Sequence, residues 1–112
     1  MELYIDTTKN NEIIIALKSR NVIIDEVNIE APKKQSELLL ESIQKIILQN
    51  KFDIKMIKKI KVENSGGSFT SLRIGIATAN ALGYALGIPV IGVKPNKGNI
   101  VKAFYSRGPD IK

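Results

Sequence analysis

The chain has 112 residues, 17 of them basic and 11 acidic, with no cysteine and no histidine. One domain of this length buries roughly two-thirds of its unfolded surface, so no metal or disulfide staple is required. The missing cysteines exclude disulfides and thiolate chemistry, the missing histidines remove the commonest general base, and the +6 charge permits nucleic-acid contact without establishing it.

Leu3–Asp6 reads as a short strand. Lys9-Asn10-Asn11 is a turn signal. Glu12–Lys18 carries the run Ile13-Ile14-Ile15-Ala16-Leu17, typical of a largely buried strand. After Ser19-Arg20-Asn21 comes a third strand, Val22–Ile29. Strands in series with short polar turns predict an antiparallel meander.

Ala31-Pro32 breaks the pattern, and from Lys34 to Gln49 the period becomes helical. Leu39, Ile43, Ile46 and Ile47 fall on one face. Leu38, Leu40 and Leu48 widen the apolar surface beyond one stripe, so this helix is expected to be covered on two sides. Asp53 is placed to cap a short turn, Ile54–Ile57. Lys59–Glu63 reads as the fourth strand, and the second helix runs from Phe69 to Leu86. Gly87 stands at the helix C′ position, Pro89 follows as a stop signal, and Pro89–Val93 is the fifth strand. The tail from Lys94 to Lys112 holds Pro95, Gly98, Gly108 and Pro109 and is expected to be partly irregular.

Three antiparallel strands, helix, strand, helix, strand is an α/β order. It predicts a mixed five-stranded sheet, ribonuclease-H-like, which is also the first lobe of the actin-like ATPase fold. Right-handed crossovers place the later strands parallel beside the meander.

Two features carry functional hypotheses. Ser65-Gly66-Gly67-Ser68-Phe69-Thr70 joins a strand to a helix N-terminus. It reads as a phosphate or carboxylate cradle, or as a tight turn with a Ser or Thr N-cap. No Walker lysine follows, since Leu72-Arg73 stands where it would begin. On the second helix, Gly75, Ala79, Gly83 and Gly87 recur every four residues and share a face. Each glycine costs about 1 kcal/mol of helix stability relative to alanine, so close packing must compensate. The partner in that packing is either this domain's own sheet and first helix, or another protein.

The stretch Ser65–Gly75 closely resembles the TsaB family signature G-P-G-S-F-T-G-L-R-I-G. Leu3-Tyr4-Ile5-Asp6-Thr7-Thr8 resembles the family's opening I-D-T-S strand. Gln35-Ser36-Glu37-Leu38-Leu39 resembles its H-S-E-x-L helix start, and Ala79–Val93 its G-L-A-Y-A-L-x-I-P-L-I-G-V run. The likeness extends from residue 2 to about residue 93, and a lobe over residues 1–93 is expected. Phe104–Ile111 resembles the family's Y-x-R-x-P-D-x ending, so 94–112 reads as the terminal segment joined to a first lobe without most of the second. Departures are Gly66 for proline, Ser65 and Ser71 for glycines, and Gln35 for histidine, which removes any metal role there.

The resemblance implies a non-catalytic scaffold for threonylcarbamoyladenosine modification of tRNA. It implies binding to a TsaD-type transferase through helices of the first lobe, with a TsaE-type ATPase joining the complex. A homodimer through a similar surface is expected when the chain is alone, with tRNA contacted indirectly. Partner contacts are assigned to Leu40, Ile47, Gly75, Ala79 and Gly83. Asp6, Gly67, Ser68, Thr70 and Arg73 are assigned to the loop motif or to a ligand at the complex interface. No catalytic or metal-binding residue is expected. Nucleotide (ATP or ADP) and Mg²⁺ are expected only within the larger complex.

Met1–Asp6 lacks the basic n-region of a signal peptide, and no stretch reaches the ~18 apolar residues of a membrane span. A cytoplasmic protein is expected. Two other classes compete. A ribonuclease-H-like nuclease would gather Asp6, Glu37 or Glu41, and Glu63 around two metal ions. A stand-alone nucleic-acid binder would use Lys55, Lys58, Lys59 and Lys61.

Overall fold

The computed structural model describes residues 1–9, 11–31, 34–94 and 101. Its elements are β1 (Glu2–Asp6), β2 (Glu12–Ser19), β3 (Val22–Glu30), α1 (Gln35–Gln49), a 3₁₀ turn (Ile54–Met56), β4 (Lys59–Val62), α2 (Phe69–Leu86) and β5 (Val90–Gly92). The five strands form one sheet in the order β3-β2-β1-β4-β5. β1, β2 and β3 pair antiparallel, while β4 pairs parallel with both β1 and β5. This is the mixed, ribonuclease-H-like and actin-like order expected from the sequence.

Strand alternation decides what the helices cover. Leu3 and Ile5 of β1 lie opposite Leu17 and Ile15 of β2, and opposite Ile60 and Val62 of β4. All six are essentially inaccessible. Both helices pack on this face, supplying Leu39, Ile43, Ile46 and Ile47 from α1 and Leu72, Ile76 and Ala79 from α2. Each buried Leu, Ile or Val contributes about 1.5–3 kcal/mol, which is why the packed face outranks local propensity. The other face of the sheet carries polar residues. There Tyr4 donates a 2.7 Å hydrogen bond to Glu63 Oε2, Lys18 Nζ lies 5.1 Å from the Tyr4 ring centre, and Lys59 pairs with Glu2 at 3.4 Å. Burial and the Glu63 hydrogen bond push the Tyr4 phenol well above its usual range.

Turn chemistry sets the ends. Arg20 and Asn21 both have positive φ, 54° and 68°, giving β2–β3 the two-residue turn whose twist suits a hairpin. The Ser68 hydroxyl caps α2, and Gly87 at φ 67° ends it. The Ile88 N–H then reaches back to the Gly83 carbonyl at 3.0 Å, a Schellman closure. Among the described residues no helix is long and apolar enough to cross a membrane. The Phe104–Ile111 match lies outside the described residues.

Candidate functional site: the loop junction and the helix layer

β1 and β4 run parallel, so both point their C-terminal ends at the loop that leads into α2. Asp6 Oδ1 accepts from the Thr8 N–H at 2.8 Å and from the Thr8 hydroxyl at 2.6 Å. That is a self-closed turn of the kind Asp forms with the backbone two residues on. Thr7 is fully buried. Its hydroxyl donates to the Ser71 carbonyl at 2.6 Å and accepts from the Gly75 N–H at 3.1 Å. One side chain thus ties the end of β1 to the first turns of α2, and both halves of its hydrogen-bonding capacity are used, as burial demands.

Gln35 does the same for α1. Its Nε2 donates to the carbonyls of Glu12 (2.7 Å), Lys9 (3.0 Å) and Thr7 (3.4 Å). A neutral amide therefore clasps the β1–β2 turn at the position where the family pattern has histidine. At the far side of the loop Asn64 is buried, donating to the Lys94 carbonyl at 3.0 Å and accepting from the Lys94 N–H at 2.8 Å. That pair pins the chain just beyond β5.

Of the two readings of the glycine-rich loop, the geometry fits the tight capped turn. Ser68 Oγ accepts from the Ser71 N–H at 3.1 Å. Gly66 and Gly67 have φ of 87° and 72°, and a Cβ on Gly67 would overlap the Thr8 carbonyl. The loop packs against Thr8, just beyond β1. Asp6 and Gly67 therefore meet at Thr8, and Ser68 follows in the chain. Thr70 and Arg73 do not join them. Both are exposed, with the Arg73 guanidinium 5.1 Å from the Phe69 ring centre, beside a groove of about 350 Å³ reaching Ser36, Ile74 and Thr78.

The nuclease arrangement is not found. Asp6 is turned onto Thr8, Glu63 accepts from Tyr4, and Glu37 and Glu41 are exposed on α1. Among the described residues no group of three acidic side chains is close enough to hold a metal ion.

The residues assigned to partner contact from the sequence fall on different sides of the helices. Gly75, Ala79 and Gly83 are buried within this domain. A Cβ on Gly75 would stand 2.6 Å from Thr7 Oγ1, and one on Gly83 would overlap Val90 Cγ2. The small residues let α2 settle on its own sheet, so this stripe is not a free surface. Ile47 is also buried, at 3% exposure, whereas Leu40 is 46% exposed. A second small-residue stripe, which the sequence reading passed over, stands outward: Ala77, Ala81 and Ala85, in line with Arg73 and Phe69. Its four-residue spacing was as visible as that of the glycines. On α1, Leu40 and Leu48 (72% exposed) flank Gln44 on the outer side of the neighbouring helix.

Residues 27–111 match the family model described as TsaD, tRNA N6-adenosine threonylcarbamoyltransferase. The chain is 28% identical to the tRNA N6-adenosine threonylcarbamoyltransferase of Thermodesulfovibrio yellowstonii, over 94% of this chain and 36% of that protein. It is 31% identical to the tRNA threonylcarbamoyladenosine biosynthesis protein TsaB of Buchnera aphidicola from Acyrthosiphon pisum, over 66% of this chain and 34% of that protein. It thus spans about a third of the length of these relatives. Among solved structures it superposes on YeaZ from Pseudomonas aeruginosa with a TM-score of 0.74 and 23% identity, covering 82% of this chain and 42% of that one. The chain belongs to the tRNA N6-adenosine threonylcarbamoyltransferase family, TsaD, and carries the fold of its TsaB (YeaZ) relatives.

Proposed function

We propose that the chain serves threonylcarbamoyladenosine formation in tRNA as a non-catalytic, TsaB-type subunit, docking on a TsaD-type transferase. The observation that carries the reading is the outer surface of the helix layer. Ala77, Ala81 and Ala85 leave a shallow track along α2, and Leu40 and Leu48 are exposed on α1, which packs against α2. Small residues admit a second helix closely, and exposed leucines reward covering it. The loop junction supports the same reading from the other side. Its Thr7 hydroxyl and Gln35 amide hold β1, α2 and α1 together and its Asp6 carboxylate closes a turn on Thr8, which suits a frame more than a catalytic group. Nucleotide and Mg²⁺ belong, on this reading, to the assembled complex, with a TsaE-type ATPase joining it.

The test is light scattering after size exclusion, with the chain mixed with the TsaD-type transferase of the same genome. A mixed complex is expected, and Ala81→Arg should weaken it at least tenfold while leaving the fold intact. Full affinity in Ala81→Arg and in Leu48→Glu would move the interface elsewhere. No complex at all, with the chain folded, would sink the scaffold role.

A further inference from the structure

Charge is distributed unevenly along the strand axis. At the end opposite the loop junction β1 begins, β2 finishes and β4 begins, and α1 ends beside them. Register brings Lys18 and Lys59 to either side of Glu2, and the Lys58 N–H donates to the Met1 carbonyl at 2.8 Å. Arg20 sits in the adjacent β2–β3 turn. Asn50 at the end of α1 donates to Asp25 of β3 at 2.8 Å, which brings Lys51 to the same edge, and Lys55 follows on the 3₁₀ turn.

Six basic side chains (Lys18, Arg20, Lys51, Lys55, Lys58, Lys59) thus share this end with four acidic ones (Glu2, Asp25, Glu26, Asp53). Glu2 is paired with Lys59, while Asp25 accepts from Asn50 and Asp53 from the Lys55 backbone N–H at 2.9 Å, so the end keeps a net positive balance. Arg20, Lys51, Lys55 and Lys58 are exposed and, among the described residues, form no ion pair. The loop end differs in its balance: four basic residues (Lys9, Lys34, Arg73, Lys94) stand with five acidic ones (Asp6, Glu12, Glu30, Glu37, Glu63).

We propose that this basic end is a contact surface for the phosphate backbone of RNA, held by Arg20, Lys51, Lys55 and Lys58. Unpaired cations at one end of a compact domain neutralise a run of phosphates and release their counterions. The choice of RNA over other polyanions rests on the proposed role in tRNA modification. The surface adjoins the transferase face assigned to α1, since the Lys51 N–H donates to the Leu48 carbonyl at 2.9 Å.

The experiment is fluorescence anisotropy of a labelled, unmodified tRNA transcript titrated with the chain across a salt series. Wild type should bind, and the logarithm of its affinity should fall linearly with the logarithm of salt concentration. Lys51→Asn, which suits the left-handed backbone there (φ 61°), should flatten that slope, as should Lys55→Gln and Lys58→Gln. Each loss should be about 0.7–0.9. Lys9→Gln, at the other end, should leave the slope unchanged. Absence of tRNA binding at low salt would overturn the proposal. So would equal sensitivity to Lys9→Gln, or tighter lysine-dependent binding to phosphatidylserine vesicles than to tRNA. Complex formation with the transferase is measured separately on the triple lysine variant. An intact complex without RNA binding by wild type overturns this inference alone, whereas RNA binding without a complex overturns the scaffold reading alone.

Discussion

α2 carries two stripes of small residues at the same four-residue spacing, and they do opposite things. Gly75, Ala79 and Gly83 face inward, where Thr7, the core and Val90 leave no room for a larger side chain. Ala77, Ala81 and Ala85 face outward and meet nothing that excludes one. The inner stripe is a condition of the fold, and its glycines are explained by closeness to the chain's own sheet. The outer stripe is unexplained by the fold, which is why it carries the docking proposal. A small residue on a helix therefore says only that something comes close; which side the sheet occupies decides what.

The comparison is broken most severely from the inside. Gly83→Leu must push its new side chain into Val90, a buried residue of β5. Overpacking of this kind costs about 1–3 kcal/mol, and the short β5 leaves little to absorb it. The expected result is a large fall in the urea midpoint; an unchanged midpoint would mean that the inner stripe is looser than described. Thr7→Val comes next. It keeps the shape but leaves the hydroxyl's two buried contacts, to the Ser71 carbonyl and the Gly75 N–H, unmade. A loss of about 1–3 kcal/mol is expected, with Thr7→Ser recovering most of it. If serine rescues nothing, the methyl packing matters and the hydrogen bonds do not.

Much of this was legible in the sequence. The bounds of α2 were read to the residue because both ends carry chemical signals, Ser68 as cap and Gly87 in the left-handed region. The meander followed from β-branched runs and polar turns, and the parallel placement of β4 and β5 from crossover handedness. The facing of α2 was not legible. Two stripes with one spacing are equivalent until the sheet is placed, and the glycine stripe is the one that faces it. The loop had two open readings because a capped turn and an anion cradle use the same residues. Only the position of Thr8 behind Gly67 separates them. Gln35 was read as the loss of a histidine. Its clasp on three carbonyls depends on the β1–β2 turn curling beneath α1, a long-range arrangement with no local trace.

A smaller effect is expected on the uncovered face of the sheet. Tyr4→Phe removes the hydrogen bond to Glu63 and should cost about 1 kcal/mol at neutral pH. The sign of its pH dependence follows from the raised phenol. Below 10.0, the unfolded value, both states hold the proton and the contribution is complete. As pH rises past that value the unfolded chain releases the proton while the folded chain keeps it, so stability falls. Denaturation midpoints followed upward from neutrality should drop less steeply in Tyr4→Phe than in wild type. Parallel curves would show that Tyr4 does not hold its proton through folding.

The smallest expected effect on stability is the most informative for function. Ala81→Arg places a long cation on the outer stripe, where arginine is nearly as good a helix former as alanine and the side chain extends into solvent. Stability should stay within about 0.5 kcal/mol of wild type, as for other surface changes. The contrast with Gly83→Leu, two positions away on the same helix, then separates what α2 does for the fold from what it offers outside. If Ala81→Arg instead destabilised the chain by as much as the inner substitution, the outer stripe would be covered by the chain itself. The docking surface would then have to be sought on α1 alone, at Leu40 and Leu48.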